Sequence, residues 1–127
     1  MPVHDLAKAT EFFSKIGFEF DPQFTDESAT RMIMSDDTSV MLCAEPTFKG
    51  FISPQEIADT SKAREVIIGL SAESRAEVDE LARKALSAGP KGLGEPEERG
   101  FMYMRGSADL DWHQWSFINM DVSAIPE

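Results

Sequence analysis

The chain has 127 residues, 42% of them hydrophobic, which is enough for one domain to bury a core without disulfides. Its 12 basic and 23 acidic residues give a formal net charge of −11, which opposes binding to nucleic acids and to anionic membranes. This charge either keeps a small protein soluble or attracts a cationic ligand. With one cysteine, no apolar run of membrane-spanning length and no secretion signal, the sequence predicts a cytoplasmic protein in a reducing compartment.

The first half of the chain combines short strands with one helix. Residues 1–4 are predicted to form a short strand, and Asp5 is predicted to cap the helix that follows. Gly17 is a natural end for that helix. Further strands are predicted at residues 18–21, 30–35 and 39–44. The apolar positions that recur at helical spacing are Leu6, Ala9, Phe12, Phe13 and Ile16.

Residues 45–63 are predicted to form a long connection, because Pro46, Gly50 and Pro54 interrupt any regular pattern. One helical turn is predicted within it, at residues 54–58. Long connections inside compact domains are often functional or mobile. The apolar residues on this connection either pack into the core or form a lid or partner contact. They are Phe48, Phe51 and Ile52.

The second half repeats the order of the first. A strand is predicted at residues 64–72, followed by a helix that begins with the capping box Ser74 to Glu77 and ends at Gly89-Pro90. The helix face is formed by Val78, Leu81, Ala82, Ala85 and Leu86. A loop to Arg99 is predicted next, and then strands at residues 101–105 and 113–120, joined by a turn at residues 109–112. Two such strand–helix–strand halves predict an α+β protein with a curved, mostly antiparallel sheet and helices on its outer side.

Three stretches together resemble the glyoxalase/bleomycin resistance/dioxygenase superfamily, also called the vicinal oxygen chelate superfamily. They are VHDLAKA at residues 3–9 with FF at 12–13 and IGF at 16–18, ALSAG at 85–89, and DLDWHQWS at 109–116. The resemblance implies one domain, residues 1–127, built from paired βαβββ modules at about 1–50 and about 64–120. It also implies a homodimer, for which the apolar residues of the long connection are candidate contacts.

Enzymes of this superfamily hold a divalent metal through His, Glu or Gln side chains on four strands. The resemblance puts the corresponding positions upstream of Met1, within residues 39–44, near Ile67 and at Ser116. None of the positions in the chain carries a carboxylate or an imidazole, and the nearby Glu65 is predicted to lie at the start of its strand. The sequence therefore predicts that no metal and no other cofactor is bound.

Three further residues have a structural and a functional interpretation. His113 fills the usual histidine position of the superfamily's closing turn, where a packing role is favoured. Cys43 has no neighbour in sequence that would lower its pKa, which favours a buried, inert thiol. Trp112 stands where the superfamily usually has glycine, so either the turn is built differently or the side chain covers something.

Polar residues on the predicted strands are candidates for lining an apolar pocket in the concave sheet. The candidates are Arg31, Met41, Tyr103, Arg105, Gln114 and Ser116. The alternative is that the arginines face solvent and side chains fill the space. The leading hypothesis is a metal-free protein that binds a small organic molecule, with no catalytic residue identified. The alternatives are a metal-dependent lyase, isomerase or dioxygenase, and a scaffold that acts through its dimer surface.

Overall fold

The computed structural model describes residues 1–124, and the chain divides into two compact units, Met1–Ala63 and Arg64–Glu127. Within the described residues, each unit contains a four-stranded mixed sheet, and the two units together carry three α-helices. The predicted α+β class is confirmed. No helix among the described residues combines the length and the apolar character needed to cross a membrane.

The first unit is built from β1 (Pro2–Val3), α1 (Leu6–Ile16), β2 (Glu19–Asp21), β3 (Ala29–Ile33) and β4 (Ser39–Ala44). The strand order is β1-β4-β3-β2, with β1 parallel to β4 and the other pairs antiparallel. A short 3-10 helix, Pro22–Phe24, follows β2.

Both predicted ends of α1 are confirmed. The Asp5 side chain accepts a hydrogen bond of 3.0 Å from the backbone N–H of Lys8. Gly17 ends the helix with a φ of 116°, a left-handed conformation that favours glycine. The face between these ends buries Ala9, Phe12, Phe13 and Ile16 in the unit's core.

The helical turn predicted at residues 54–58 is wrong, because the helix lies earlier, as α2 (Glu45–Ile52). Pro46 occupies its first turn, where the missing N–H of proline leaves no hydrogen bond unmade. The residue taken as a helix breaker therefore belongs to the helix start. No residue of α2 is fully buried, and Phe51 is 77% exposed.

The second unit is built from β5 (Ile67–Ser71), α3 (Arg75–Ala88), β6 (Glu97–Arg99), β7 (Met102–Ala108) and β8 (Gln114–Met120), followed by a 3-10 helix, Val122–Ala124. Its strand order, β5-β8-β7-β6 with β5 parallel to β8, reproduces the connectivity of the first unit. Each unit is therefore one βαβββ module. The predicted loop to Arg99 missed β6, because its three charged, exposed residues show no apolar alternation.

Helix α3 begins at the predicted N-cap, Ser74, with the Glu77 carboxylate bonded one residue before the cap, and it packs on one side of its sheet. The Ser74 hydroxyl accepts a hydrogen bond from the backbone N–H of Glu77, and the Glu77 carboxylate accepts one from the backbone N–H of Glu73. Val78 and Ala82 of the helix are fully buried, and so is Trp115 of β8 at 2% exposure. This packing covers one face of the second sheet.

Candidate ligand-binding site

The second sheet has one face covered by α3 and a second face that points away from this helix. Because side chains alternate along a strand, Trp115 and Phe117 lie on the covered face, whereas Gln114 and Ser116 lie on the other. The cross-strand register places further residues beside them. We call this surface the distal face and define it by Ile67, Gly69, Met102, Met104, Gly106, Gln114 and Ser116.

A cavity of about 660 Å³ lies over the distal face. Ile67, Met102 and Met104 supply its apolar surface, and β8 supplies Gln114 and Ser116. Its remaining boundary is formed by residues 92–95 of the loop that follows α3, and by Glu97 and Arg99 of β6. This volume is within the range of sites for small organic molecules.

The two polar side chains that β8 places on the distal face are available to a ligand. Both Gln114 and Ser116 are half-buried. Among residues 1–124, neither the Gln114 amide nor the Ser116 hydroxyl has a hydrogen-bond partner in the protein. Glutamine offers two donors and an acceptor, and serine offers one donor and an acceptor. The distal face can therefore recognise a polar group of either kind.

The charge at the cavity edge is negative. Glu95 and Glu97 contribute two carboxylates, and Arg99 contributes one guanidinium. Arg99 Nε lies 3.4 Å from Glu97 Oε2, and both side chains are largely exposed. This pair leaves the carboxylate of Glu95 as the excess charge, which favours neutral or cationic molecules over anions.

Tyr103 and Arg105 point to the covered face, on the opposite side from Gln114 and Ser116. The Tyr103 hydroxyl donates to Asp79 Oδ1 at 2.5 Å, and Arg105 Nη1 donates to the same oxygen at 3.3 Å. The hydrogen bond from Tyr103 holds the pKa of Asp79 below its usual value, and the same bond raises the pKa of Tyr103. Arg105 Nε also donates to the Gly94 carbonyl at 2.6 Å.

Arg31 and Met41 lie in the first unit, directly opposite each other on β3 and β4. Arg31 Nη1 donates to Asp21 Oδ2 at 2.8 Å, and its guanidinium lies 5.5 Å from the ring centroid of Phe24. Met41 is 40% exposed. The six predicted residues thus belong to three surfaces: the sheet of the first unit, the covered face of the second sheet and its distal face. A ligand contact of any of them stays a prediction.

The positions that the resemblance assigns to metal ligands do not fit a divalent ion. A protein site for such an ion needs about four nitrogen, oxygen or sulfur donors, or three and an open position. On the distal face, the relevant strands offer Ile67, Gly69 and Ser116. Within residues 1–124, no group of three or more His, Cys, Asp or Glu side chains is arranged to hold a metal.

The turn that precedes β8 contains a buried carboxylate whose role the sequence did not indicate. Asp109 is 1% exposed and accepts hydrogen bonds from the backbone N–H groups of Asp111 and His113, at 2.9 and 3.1 Å. Its other oxygen accepts the indole N–H of Trp115 at 3.0 Å. Burial raises the pKa of Asp109, against the opposing effect of the His113 charge and of these bonds. An aspartate at the first position of a turn was the available signal.

Trp112 keeps the left-handed backbone that glycine would adopt, with a φ of 63°. Its carbonyl accepts a hydrogen bond of 3.2 Å from Arg64 Nε, and the Arg64 guanidinium lies 6.0 Å from the indole centroid. The turn therefore holds a non-glycine residue in the left-handed region, and the ring lies beside an arginine. Together with Asp109, this turn fixes the start of the strand that carries Gln114 and Ser116.

Solved structures similar to this chain were found, whereas comparisons of its sequence found no match. No family model matches the sequence, and a search of curated proteins found no match. A hypothetical protein from S. aureus is similar in structure, with a TM-score of 0.78 and 26% identity over 94% of this chain and 88% of the other.

Two further solved structures carry a family description. A glyoxalase/bleomycin resistance protein/dioxygenase family enzyme from Burkholderia phytofirmans matches with a TM-score of 0.76 and 13% identity over 94% of each chain. The bleomycin resistance determinant encoded on the transposon Tn5 matches with a TM-score of 0.66 and 19% identity, over 95% of this chain and 93% of the other. The chain therefore has the fold of the glyoxalase/bleomycin resistance/dioxygenase superfamily, as its sequence motifs predicted.

Proposed function

We propose that this protein binds a small organic molecule, without a metal, in the cavity over the distal face. The observation that carries the proposal is a cavity with apolar side chains on its floor beside the polar side chains of Gln114 and Ser116, which have no hydrogen-bond partner among residues 1–124. Small-molecule sites have this composition, because apolar contacts supply affinity and a few polar groups fix orientation. The similarity of the fold to a bleomycin resistance determinant is in keeping with this proposal.

The chemistry of the cavity favours a ligand with a flat, apolar body and one hydrogen-bonding group. Met102 and Met104 offer flexible, polarisable thioethers that adapt to aromatic rings. Gln114 and Ser116 would bind the polar group. The excess carboxylate at the edge, Glu95, would favour a neutral or cationic molecule.

The proposal is tested with a thermal-shift screen of neutral and cationic aromatic compounds, followed by calorimetry on the compounds that raise the Tm. A compound at 100 times its Kd stabilises the folded protein by about 2.7 kcal/mol, which such a screen detects. Replacing Ser116 by Phe fills the cavity from its floor and is expected to raise the Kd about tenfold or more. Ser71→Phe is the matched control, since Ser71 is exposed on neighbouring β5 and does not line the cavity.

Two results would contradict the proposal. A screen without any stabilising compound removes the small-molecule function, and equal affinity in the Ser116→Phe and Ser71→Phe proteins removes the cavity as its place. A metal-dependent lyase, isomerase or dioxygenase predicts a third result, stoichiometric metal in the purified protein that is lost on mutating Glu65 or His113. The donors on the distal face favour the metal-free alternative.

We further propose that the protein is a homodimer and that α2 contributes to its interface. Phe51 of this helix is 77% exposed, and exposed large apolar side chains often mark protein contacts. Sedimentation of the wild-type protein should give the mass of a dimer, and Phe51→Ser should shift it toward the monomer. A monomeric wild-type protein would contradict this part of the proposal.

A further inference from the structure

The loop between α3 and β6 forms one wall of the cavity, and a side chain from the opposite face of the sheet holds it. We propose that Asp79, Tyr103 and Arg105 are a positioning cluster that fixes this wall and so controls how long a ligand stays bound. The proposal rests on the proposed function, since it concerns the same cavity. It assigns a role to Tyr103 and Arg105 without requiring either to touch the ligand.

The loop lies against Leu86 of α3 and contains two glycines in left-handed conformations. Gly92 and Gly94 have φ values of 108° and 116°, which other residues rarely adopt. A Cβ added at Gly94 would lie 2.8 Å from Leu86 Cδ1 and 3.4 Å from the Gly106 carbonyl oxygen. Because residues 92–95 also border the cavity, a displacement of the loop changes the shape of the site.

Within residues 1–124, one hydrogen bond connects this loop to the sheet. Arg105 Nε donates to the Gly94 carbonyl at 2.6 Å, and the Arg105 side chain is only 20% exposed. Among the residues that the structure describes, residues 92–94 form no other hydrogen bond. The position of this stretch of the wall therefore depends on Arg105.

Asp79 holds the guanidinium of Arg105 in place. Its carboxylate accepts hydrogen bonds from Arg105 Nη1 and from the Tyr103 hydroxyl, so that one side chain of α3 joins two side chains of β7. The Arg75 guanidinium lies over the Tyr103 ring, 4.9 Å from its centroid. The bond from Tyr103 also holds the pKa of Asp79 below its usual value, which favours the ionised carboxylate that accepts both bonds.

The test measures the loop and the ligand separately. Backbone ¹⁵N relaxation of residues 92–95 reports on the mobility of the loop without any ligand, and the neutral dye Nile red reports on the cavity by fluorescence. Arg105→Gln is expected to lower the order parameters of these residues from about 0.85 toward about 0.6, because the loop loses its hydrogen bond to the sheet while the Tm changes little. It should also raise the dissociation rate of Nile red about tenfold, as affinity changes within one site act mainly on dissociation. Tyr103→Phe, which removes one hydroxyl, should shift both quantities in the same direction by less.

Arg83→Gln is the matched control, because Arg83 lies on α3, is ion-paired with Glu80 and does not line the cavity. It should leave both quantities unchanged. Lower order parameters in the loop with unchanged Nile red dissociation would overturn the positioning role and leave the proposed function intact. Unchanged order parameters in both Arg105→Gln and Tyr103→Phe would overturn it as well. Failure of Nile red to bind the wild-type protein, or equal binding to Ser116→Phe, would instead count against the proposed function, and the positioning role would fall with it.

Discussion

Replacement of Asp109 by Asn tests the role of the buried carboxylate before β8. Asparagine has the same shape, so its oxygen can still accept the backbone N–H groups of Asp111 and His113. Its amide nitrogen then faces the indole N–H of Trp115 across the 3.0 Å now bridged by a hydrogen bond. Turning the amide over is no better, because the nitrogen would then meet two backbone donors. A buried donor without a partner costs about 1–3 kcal/mol, and we expect a loss of about 2 kcal/mol.

The loss should depend on pH with a definite sign. Burial raises the pKa of folded Asp109 above its ordinary value of 3.8. The stabilisation from this group is therefore complete below pH 3.8 and declines as the pH rises through the folded-state pKa. Asparagine does not titrate, so the difference between the two proteins should grow as the pH is lowered from neutral toward 3.8.

Urea unfolding followed by tryptophan fluorescence at several pH values measures this difference. Asp37→Asn, at an exposed hairpin position, is the control and should change the free energy of unfolding by less than about 0.5 kcal/mol. An Asp109→Asn protein as stable as this control, or a stability difference that widens with rising pH, would refute the reasoning.

Four further variants test the two helices of the first unit and the acid stability of the protein. Asp5→Ala removes the N-cap of α1 and should lower the free energy of unfolding in urea by about 1 kcal/mol. Gly17→Ala should lower the free energy of unfolding by about 1–2 kcal/mol, because alanine is strained at a φ of 116°. Gly50→Ala should raise it by about 0.5–1 kcal/mol, because Gly50 lies within α2 and an added Cβ meets nothing there. The stabilisation from Asp79, whose pKa is lowered from 3.8 chiefly by Tyr103, is present at neutral pH and lost as the pH falls through the folded-state value. Tyr103→Phe should therefore flatten the acid side of a plot of Tm against pH, and an unchanged slope would contradict this.

Helices α1 and α3 and the internal repeat were predictable because their signals are local. Asp5 and Gly17 mark the ends of α1, and Ser74 with Glu77 marks the start of α3, through bonds within a few residues. Helix α2 escaped prediction because Pro46 has opposite meanings in the first turn of a helix and in its interior. Strand β6 escaped because pairing with β7 defines it, and its own residues carry no alternation.

The candidate site was only partly predictable, for a related reason. The polarity of the side chains marked Tyr103, Arg105, Gln114 and Ser116 as one group of candidates. Polarity does not say which face of the sheet each side chain occupies, because that depends on strand alternation and on where α3 packs. The contact of Arg105 with Gly94 joins a strand to a loop whose conformation has no sequence signal beyond its glycines.

The most direct test of ligand binding on the distal face uses the methionine methyl groups as reporters. The chain has seven methionines, of which Met102 and Met104 line the cavity and Met32 is fully buried in the first unit. In a protein with labelled methyl groups, resonances assigned by Met→Leu variants are followed as a compound from the thermal-shift screen is added. The account predicts saturable shifts of Met102 and Met104 with Met32 unchanged. Shifts that leave Met102 and Met104 in place, or that appear only when a divalent metal is present, would contradict it.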